Sequence, residues 1–221
     1  MNALTDLVIL VPDRNVEAAL NGLLATPARL GMRNLSFEIH VHVHRDPGCF
    51  LTAHEFLRPF AGRCAHALVV FDRIGCGHEA LQAEDLDQAV RSRLRDSGWA
   101  DRVAAVAIDP ELEIWVWSDS PHVASCLGWE GGIRELRSWM ASEGLWIQEH
   151  PKPADPKRAL ERVLRQVRKP RSSAIYARLA SSVGLDRCRD PSFARLRGIL
   201  SGWFAPAGPQ GDPAARTASP P

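Results

Sequence analysis

Four apolar segments in the first half of the chain alternate with segments of helical periodicity. Residues 7–11 and 67–71 are continuous apolar runs, as expected of buried parallel strands, whereas residues 35–44 alternate between apolar and polar positions. The pattern predicts strands over residues 5–12, 35–44, 66–72 and 102–109, and helices over residues 15–24, 52–62 and 84–97. Such alternation of strand and helix indicates an α/β fold with a mainly parallel sheet flanked by helices.

The second half of the chain carries mostly helical patterns. Asp109 and Pro110 have the residue types of an N-cap and a first helical position, so a helix is expected to begin there, and continuation as a strand by alternation is the alternative. Further helices are predicted over residues 132–143, 156–168, 172–183 and 191–204. The sequence thus divides into an α/β core over residues 1–119 and a helical C-terminal subdomain over residues 120–204. Residues 205–221 are rich in Pro, Gly and Ala, a composition typical of a disordered tail.

Composition favours a globular protein of the cytoplasm. Of the 221 residues, 45% are hydrophobic and 24% are charged, which suits one globular unit with an appended subdomain. The apolar runs are much shorter than a membrane span, and the first residues lack the basic start and cleavage site of a signal peptide. The five cysteines are widely spaced and include no C-x-x-C pair, so reduced thiols are expected.

Charge is distributed unevenly along the chain. Residues 1–150 contain 13 basic and 21 acidic residues, a net charge of −8, whereas residues 151–200 contain 13 basic and 4 acidic residues, a net charge of +9. An acidic body with a basic segment predicts a cation site in the first and an anionic partner for the second. Mutual attraction between the two parts explains the same asymmetry equally well.

Carboxylates follow three of the four predicted strands. Ligands of parallel α/β sheets gather outside the carboxyl ends of the strands, and Asp13, Asp72 and Asp109 stand there, with Glu111 and Glu113 just beyond. Converging carboxylates repel one another, and a hard cation such as Mg²⁺ or Mn²⁺ would relieve the repulsion and activate water for phosphodiester chemistry. The alternative is that the aspartates form turns or caps and that both glutamates occupy a first helical turn, where the helix dipole favours them.

Three histidines alternate at the end of the second predicted strand. His40, His42 and His44 would point the same way, with alternate positions about 6.6–7 Å apart, so a neighbouring pair could share one Zn²⁺. The candidates for a third ligand are His54, Asp46 and Cys49. The alternative is a strand whose imidazoles pack beside the following helix.

A cluster of cations follows the predicted helix over residues 156–168 and the turn after it. Its members are Lys157, Arg158, Arg162, Arg165, Arg168, Lys169 and Arg171. Arg158, Arg162 and Arg165 share one helix face, and apolar residues form another. Such a face predicts salt-sensitive, sequence-independent binding of DNA or RNA phosphates. A solvated face or a docking surface for an acidic protein partner is the alternative.

The segments "LVILVPDRNVEAALNGLL" and "VVFDRIGCG" resemble the opening and the acid-bearing strand of toprim-like proteins. In that family an acid ends the first strand, a second acid lies in the next helix, and a later strand ends in Asp-x-Asp. The resemblance implies a toprim-like fold for the α/β core and catalytic roles for Asp13, Glu17 and Asp72. "DPELEIWVWSD" is similar to the acid-x-x-Trp segment of the related DUF4276 group, which adds Glu113. The C-terminal pattern of that group is matched by Tyr176, Asp186, Arg189 and Phe193.

The chain from about residue 7 to residue 204 also resembles the family formed by the fourth protein of the bacterial methylation-associated defence system, a multi-gene antiphage island. The segments "VPDRN", "HEFLRPFA" and "QVRKPRSSAIY" carry this resemblance. It implies antiviral defence as the biological setting and other subunits of that system as partners.

Two departures from the toprim-like pattern bear on the chemistry. Asp13 stands where the family has a glutamate, and Ile74 replaces the second acid of the Asp-x-Asp pair. Three functions therefore stay open at the level of sequence. They are a Mg²⁺- or Mn²⁺-dependent nuclease, a non-catalytic scaffold that binds nucleic acid or protein, and a Zn²⁺ hydrolase centred on the histidines.

Overall fold

The computed structural model describes residues 4–147, 149–182 and 188–206. In these residues one parallel sheet has the strand order β2-β1-β3-β4. The strands are β1 (Thr5–Val11), β2 (Phe37–Val41), β3 (Cys64–Asp72) and β4 (Val103–Ile108). The helices are α1 (Arg14–Leu24), α2 (Arg45–Leu51), α3 (Ala53–Leu57), α4 (Ala83–Leu94), α5 (Glu113–Val116), α6 (His122–Leu127), α7 (Ile133–Ser142), α8 (Pro156–Gln166), α9 (Ser173–Ser182) and α10 (Pro191–Trp203). The predicted α/β fold with a parallel sheet flanked by helices is confirmed.

The segment after β2 differs from its prediction. The alternating pattern predicts a strand up to residue 44, but β2 ends at Val41 and α2 begins at Arg45. Pro47 lies in the first turn of α2, where its missing N–H leaves no hydrogen bond unmade. One helix was expected over residues 52–62. The Thr52 hydroxyl instead donates to the Gly48 carbonyl at 3.1 Å, at the junction of α2 and α3, and α3 ends at Leu57.

The helix expected at Asp109 begins later. Residues 109–112 form a connection after β4, and α5 starts at Glu113. The Asp109 carboxylate does not cap a helix because it pairs with Arg73 at 2.7 Å. The delayed start of α5 puts Glu113 in its first turn, directly outside the carboxyl end of the sheet.

Apolar side chains cover both faces of the sheet. Leu7, Ile9 and Val11 of β1 face one side, where they pack with α1 and with the C-terminal helices α8, α9 and α10. Val8 and Leu10 face the other side, where they pack with α2, α3 and α4. The C-terminal helices therefore complete the apolar core of the first face. None of the helices within the described ranges is long and apolar enough to cross a membrane.

Helix α9 packs closely on α1 at Gly22. A Cβ atom added to Gly22 would lie 2.6 Å from the Ala177 carbonyl oxygen and 2.9 Å from the Ala180 Cβ. These separations are too short for any side chain, so glycine permits the approach of the two helices. The contact fixes α9, which carries Tyr176, over the carboxyl end of the sheet.

Side chains close the outer edge of β4. The Ala107 N–H donates to Asp87 of α4, and the Ala107 carbonyl accepts a hydrogen bond from Arg195 of α10 at 3.0 Å. Arg195 Nε also donates to the second oxygen of Asp87 at 3.1 Å. Because an unpaired edge strand invites pairing with other chains, this bridge protects the sheet on its β4 side.

Asp87 makes the stability of this edge depend on pH. Burial raises the pKa of Asp87 from 3.8 to about 6, although the Ala107 N–H and Arg195 both oppose the shift. The folded state holds this proton to a higher pH than the unfolded chain. The contribution of Asp87 to the free energy of unfolding therefore decreases as the pH rises from about 4 to about 6. For Asp87→Asn, the unfolding free energy relative to wild type should rise by roughly 1–3 kcal/mol between about pH 4 and pH 7.

Urea denaturation of both proteins at the two pH values measures this difference. The control is Asp85→Asn, which removes the same charge from an exposed position of α4. Equal pH effects for the two variants would contradict the assignment to Asp87.

Candidate metal centre

Three carboxylates meet outside the carboxyl ends of β3 and β4. One ligating oxygen from each of Asp72, Glu111 and Glu113 lies within 4.8 Å of the other two. We call this set the acidic centre. Glu111 and Glu113 are buried, and Asp72 is half-buried. Among the residues that the structure describes, no other three metal-ligating side chains approach one another so closely.

Backbone hydrogen bonds of Asp72 assemble the acidic centre. Asp72 is the last residue of β3, and its Oδ1 accepts the Leu112 N–H at 2.8 Å. Because Leu112 lies between Glu111 and Glu113, this bond draws both glutamates towards Asp72. The Asp72 N–H in turn donates to Asp46 Oδ1 at 2.8 Å, which attaches the start of α2 to the same site.

Groups from α8, from α9 and from the connection between them compensate the two glutamates. Lys157 Nζ lies 2.9 Å from Glu111 Oε2. Arg171 forms an ion pair with Glu113 Oε1, and the Tyr176 hydroxyl donates to the same oxygen at 2.6 Å. Glu113 is only 1% exposed, so it depends on these partners for its solvation.

Negative charge still exceeds what these partners offset. Burial raises the pKa of Asp72 well above its ordinary value, and the charges of Asp46, Glu113 and Glu111 add to the shift. Burial, together with the charge of Asp13, raises the pKa of Asp46 to about 6. Burial also raises the pKa of Glu111, although the hydrogen bond from Lys157 opposes it. The site therefore favours the arrival of positive charge, whether a proton or a metal cation.

The donor atoms suit a hard cation. Each carboxylate of the acidic centre keeps one oxygen that receives no hydrogen bond from the described residues. These oxygens are Asp72 Oδ2, Glu111 Oε1 and Glu113 Oε2. An all-oxygen set of this kind fits Mg²⁺ or Mn²⁺ better than Zn²⁺, which prefers nitrogen and sulfur.

Three of the expected site residues lie outside the acidic centre. Asp13 caps α1, where its Oδ1 accepts the N–H groups of Asn15 and Val16 at 2.8 and 3.0 Å. Its charge nevertheless raises the pKa of Asp72. Glu17 pairs with Arg14 at 2.7 Å on the surface of α1. The Asp109 side chain is 45% exposed and pairs with Arg73.

Ile74, at the position of the missing family acid, is 46% exposed and contributes no oxygen ligand. Its N–H donates to the Pro110 carbonyl at 3.0 Å, so the segment after β3 is fixed against the connection that carries Glu111. Asp186, which the resemblance also singled out, lies outside the described residues.

The histidines do not form a ligand group with one another. His42 is 5% exposed; its Nδ1 accepts the His44 N–H at 3.1 Å and its Nε2 lies 3.2 Å from the Thr52 hydroxyl. Its ring also fills the space beside Gly48, where an added Cβ would lie 2.0 Å from Nδ1. His40 packs against Phe60, and His44 is exposed. The strand ends before His42, but the rings of His40 and His42 both pack against Phe56 of α3, as the alternative of imidazoles beside the following helix predicts.

The basic cluster separates into distinct environments. Lys157 and Arg171 turn towards the acidic centre, Arg162 pairs with Glu143 at 2.6 Å, and Lys169 donates to the Cys126 carbonyl at 3.0 Å. The exposed members with no described side-chain partner are Arg158, Arg165 and Arg168. Part of the basic segment thus stabilises the acidic half, as the alternative reading of the charge asymmetry predicts.

The rule that ligands gather at strand ends missed three features of the site, namely Asp46, Tyr176 and the pairing of Lys157 with Glu111. Asp46 was weighed only as a zinc ligand because the histidine strand was expected to continue up to it. Tyr176 was marked only by the resemblance. Lys157 lies 46 residues from its partner Glu111, and Arg171 lies 58 residues from its partner Glu113. No local sequence pattern encodes contacts at such separations.

The fold and the site together define an α/β protein with a carboxylate centre at the carboxyl edge of a parallel sheet. No protein-family description matches the chain, and no curated protein or solved structure is similar enough to be named as a relative. Its chemistry is therefore argued from its own residues.

The cation beside Glu113 has a measurable structural role. Replacing Arg171 by Met leaves a buried carboxylate without its cation, so we expect Arg171→Met to lower the unfolding free energy by about 2 kcal/mol or more. The double variant Glu113→Gln/Arg171→Met should recover much of that loss. Arg165→Met, at an exposed position of α8, is the control, and chemical denaturation is the measurement. Equal losses in Arg171→Met and Arg165→Met would refute the role.

Proposed function

We propose that the acidic centre binds Mg²⁺ or Mn²⁺ and that the protein is a metal-dependent nucleic-acid phosphodiesterase with a toprim-like core. The observation that carries the proposal is the convergence of three carboxylates, each with an uncommitted oxygen, at the edge where parallel α/β sheets bind ligands. Burial and the negative charges around it raise the pKa of Asp72, and those charges support a cation rather than an anion at this point.

Asp72, Glu111 and Glu113 would hold the cation. When bound, such an ion polarises a phosphoryl oxygen and makes water a stronger nucleophile. Lys157 has a different task. Its ammonium group lies against Glu111, yet its side chain is 45% exposed, so it would contact a phosphate oxygen that reaches the centre. Arg171 and Tyr176 hold Glu113 in one orientation, which keeps its second oxygen directed away from them.

Antiviral defence is the setting that we propose for this activity, with the other subunits of a defence system as partners. The support is the sequence resemblance over most of the chain. In this setting the basic surface formed by Arg158, Arg165 and Arg168 would follow the phosphate backbone of the nucleic acid.

A second candidate function is a non-catalytic module that binds nucleic acid or a protein partner. Two observations favour it: Glu111 and Glu113 already have compensating partners within the chain, and Ile74 supplies no ligand. In this function the acidic centre would be a structural network between the sheet and the C-terminal helices.

Asp72→Asn separates the two candidates. It removes one carboxylate of the centre while its amide oxygen can still accept the Leu112 N–H. The phosphodiesterase proposal predicts that Mn²⁺ affinity, measured by calorimetry, falls at least about tenfold. Changes to residues that only support a metal ligand already cost about that much, and Asp72 is itself a proposed ligand. Cleavage of plasmid, single-stranded DNA or RNA should be lost as well. In EDTA the variant should be no less stable than wild type, because one repelling charge is gone.

The matched control is Asp101→Asn. Asp101 precedes β4, so it lies at the amino end of the strands, away from the acidic centre at their carboxyl ends. Its side chain is 88% exposed. Loss of Mn²⁺ binding in Asp72→Asn but not in Asp101→Asn supports the proposal. Wild-type protein that binds no Mn²⁺, or equal cleavage by wild type and Asp72→Asn, would reject it.

Reversing exposed charges on α8 tests the nucleic-acid surface. Arg158→Glu/Arg165→Glu should weaken binding to DNA or RNA and reduce the salt dependence of the affinity by about two phosphate contacts. The control Arg58→Glu/Arg134→Glu changes net charge equally at two exposed positions, one directly after α3 and one in α7. Fluorescence anisotropy at several salt concentrations gives both quantities. Similar effects of the two double variants would show that only net charge matters.

A further inference from the structure

The outer edge of β2 presents unpaired backbone groups. Ser36 accepts the Leu7 N–H and the His42 N–H donates to Val11, so the even-numbered residues of this strand turn their backbone groups towards β1. Backbone groups alternate in direction along a strand. Phe37, Ile39 and Val41 therefore direct theirs away from the sheet, and no described residue hydrogen-bonds to them.

This edge contrasts with the opposite one. On β4, Asp87 and Arg195 occupy the outward groups of Ala107. No described side chain does the same for β2, although an open edge is a template for another strand. The Val43 side chain just past the strand is 83% exposed.

The sequence of β2 is complementary to itself in one antiparallel register. If Ile39 faces Ile39 of a second copy, Glu38 faces His40 and Phe37 faces Val41. In this register the odd-numbered residues form the hydrogen-bonded pairs, which agrees with the direction of their free groups. About six backbone hydrogen bonds would then join the two strands.

We propose that two copies of this chain pair through their β2 edges, antiparallel, with Ile39 on the twofold axis. Hydrogen-bonding complementarity favours this occupant because Glu38 and His40 already lie 3.2 Å apart within one chain, and the register places each beside the other residue type in the second copy. On the other face, the half-buried Phe37 and Val41 cover one another. The histidine-rich stretch thereby acquires a role that needs no metal.

Mixed cysteine variants test the register. In the proposed pair, residue 38 directly faces residue 40 of the second copy, with Cα atoms about 4.5 Å apart, a spacing that permits a disulfide. The same residue in the two copies lies diagonally, roughly 7–8 Å apart, which is too far. Under mild oxidation, a mixture of Glu38→Cys and His40→Cys proteins should cross-link into dimers at least several-fold more than either variant alone.

Charge exchange tests the association without a covalent bond. Glu38→Lys removes the carboxylate that faces His40 of the second copy, and the symmetric dimer contains this contact twice, so the dimer dissociation constant should rise roughly tenfold. Glu38→Lys/His40→Glu restores opposite charges and should return the constant towards the wild-type value. Sedimentation velocity measures all three proteins, and circular dichroism shows that each is folded.

Three results would overturn the proposal. The first is a wild-type protein that sediments as a monomer at every attainable concentration. The second is a double exchange variant that dissociates as readily as Glu38→Lys. The third is cross-linking of the single cysteine variants to the same extent as their mixture, because that would place β2 in another register or leave it unpaired.

Discussion

Repulsion among carboxylates at the carboxyl end of the sheet is the constraint on which the rest of the structure depends. Asp72, Glu111 and Glu113 are brought together by the strand ends and by the hydrogen bond from Leu112 to Asp72. The buried glutamates are stable there only because α8 supplies Lys157 and the connection between α8 and α9 supplies Arg171. The packing of the C-terminal helices therefore determines the electrostatics of the site. The close approach of α9 to α1 at Gly22 contributes to this, because α9 also carries Tyr176, which donates to Glu113.

The parts of this arrangement that follow from local pattern could be predicted from sequence. Continuous apolar runs predict the parallel strands, and the rule that ligands gather at the carboxyl ends of such strands predicts Asp72, Glu111 and Glu113 as neighbours. The same rule overreached at Asp13 and Asp109. Each stands at a strand end, but the first caps α1 and the second pairs with Arg73. A strand end fixes where a Cα atom lies, and competing local partners decide where its carboxylate points.

The contributions that depend on distant residues could not be predicted from sequence. A basic segment with one charged face suggests a surface for phosphates. Lys157 in α8 and Arg171 after it instead form ion pairs with the buried Glu111 and Glu113. Alternation through His44 suggests a longer strand, yet the helix that starts at Arg45 ends it and moves Asp46 to the acidic centre. In both cases the outcome rests on a contact between segments, and periodicity contains no information about such contacts. The resemblance did mark Tyr176, but it did not say which acid that residue would bind.

The central claim is that the acidic centre is a cation site rather than a closed network of ion pairs. Anomalous scattering from crystals of the full chain grown with Mn²⁺ tests it most directly. The account predicts an anomalous peak within coordination distance of Asp72, Glu111 and Glu113 that is absent from crystals of Asp72→Asn. A peak at the histidines alone, or no peak beside these three carboxylates, would contradict it.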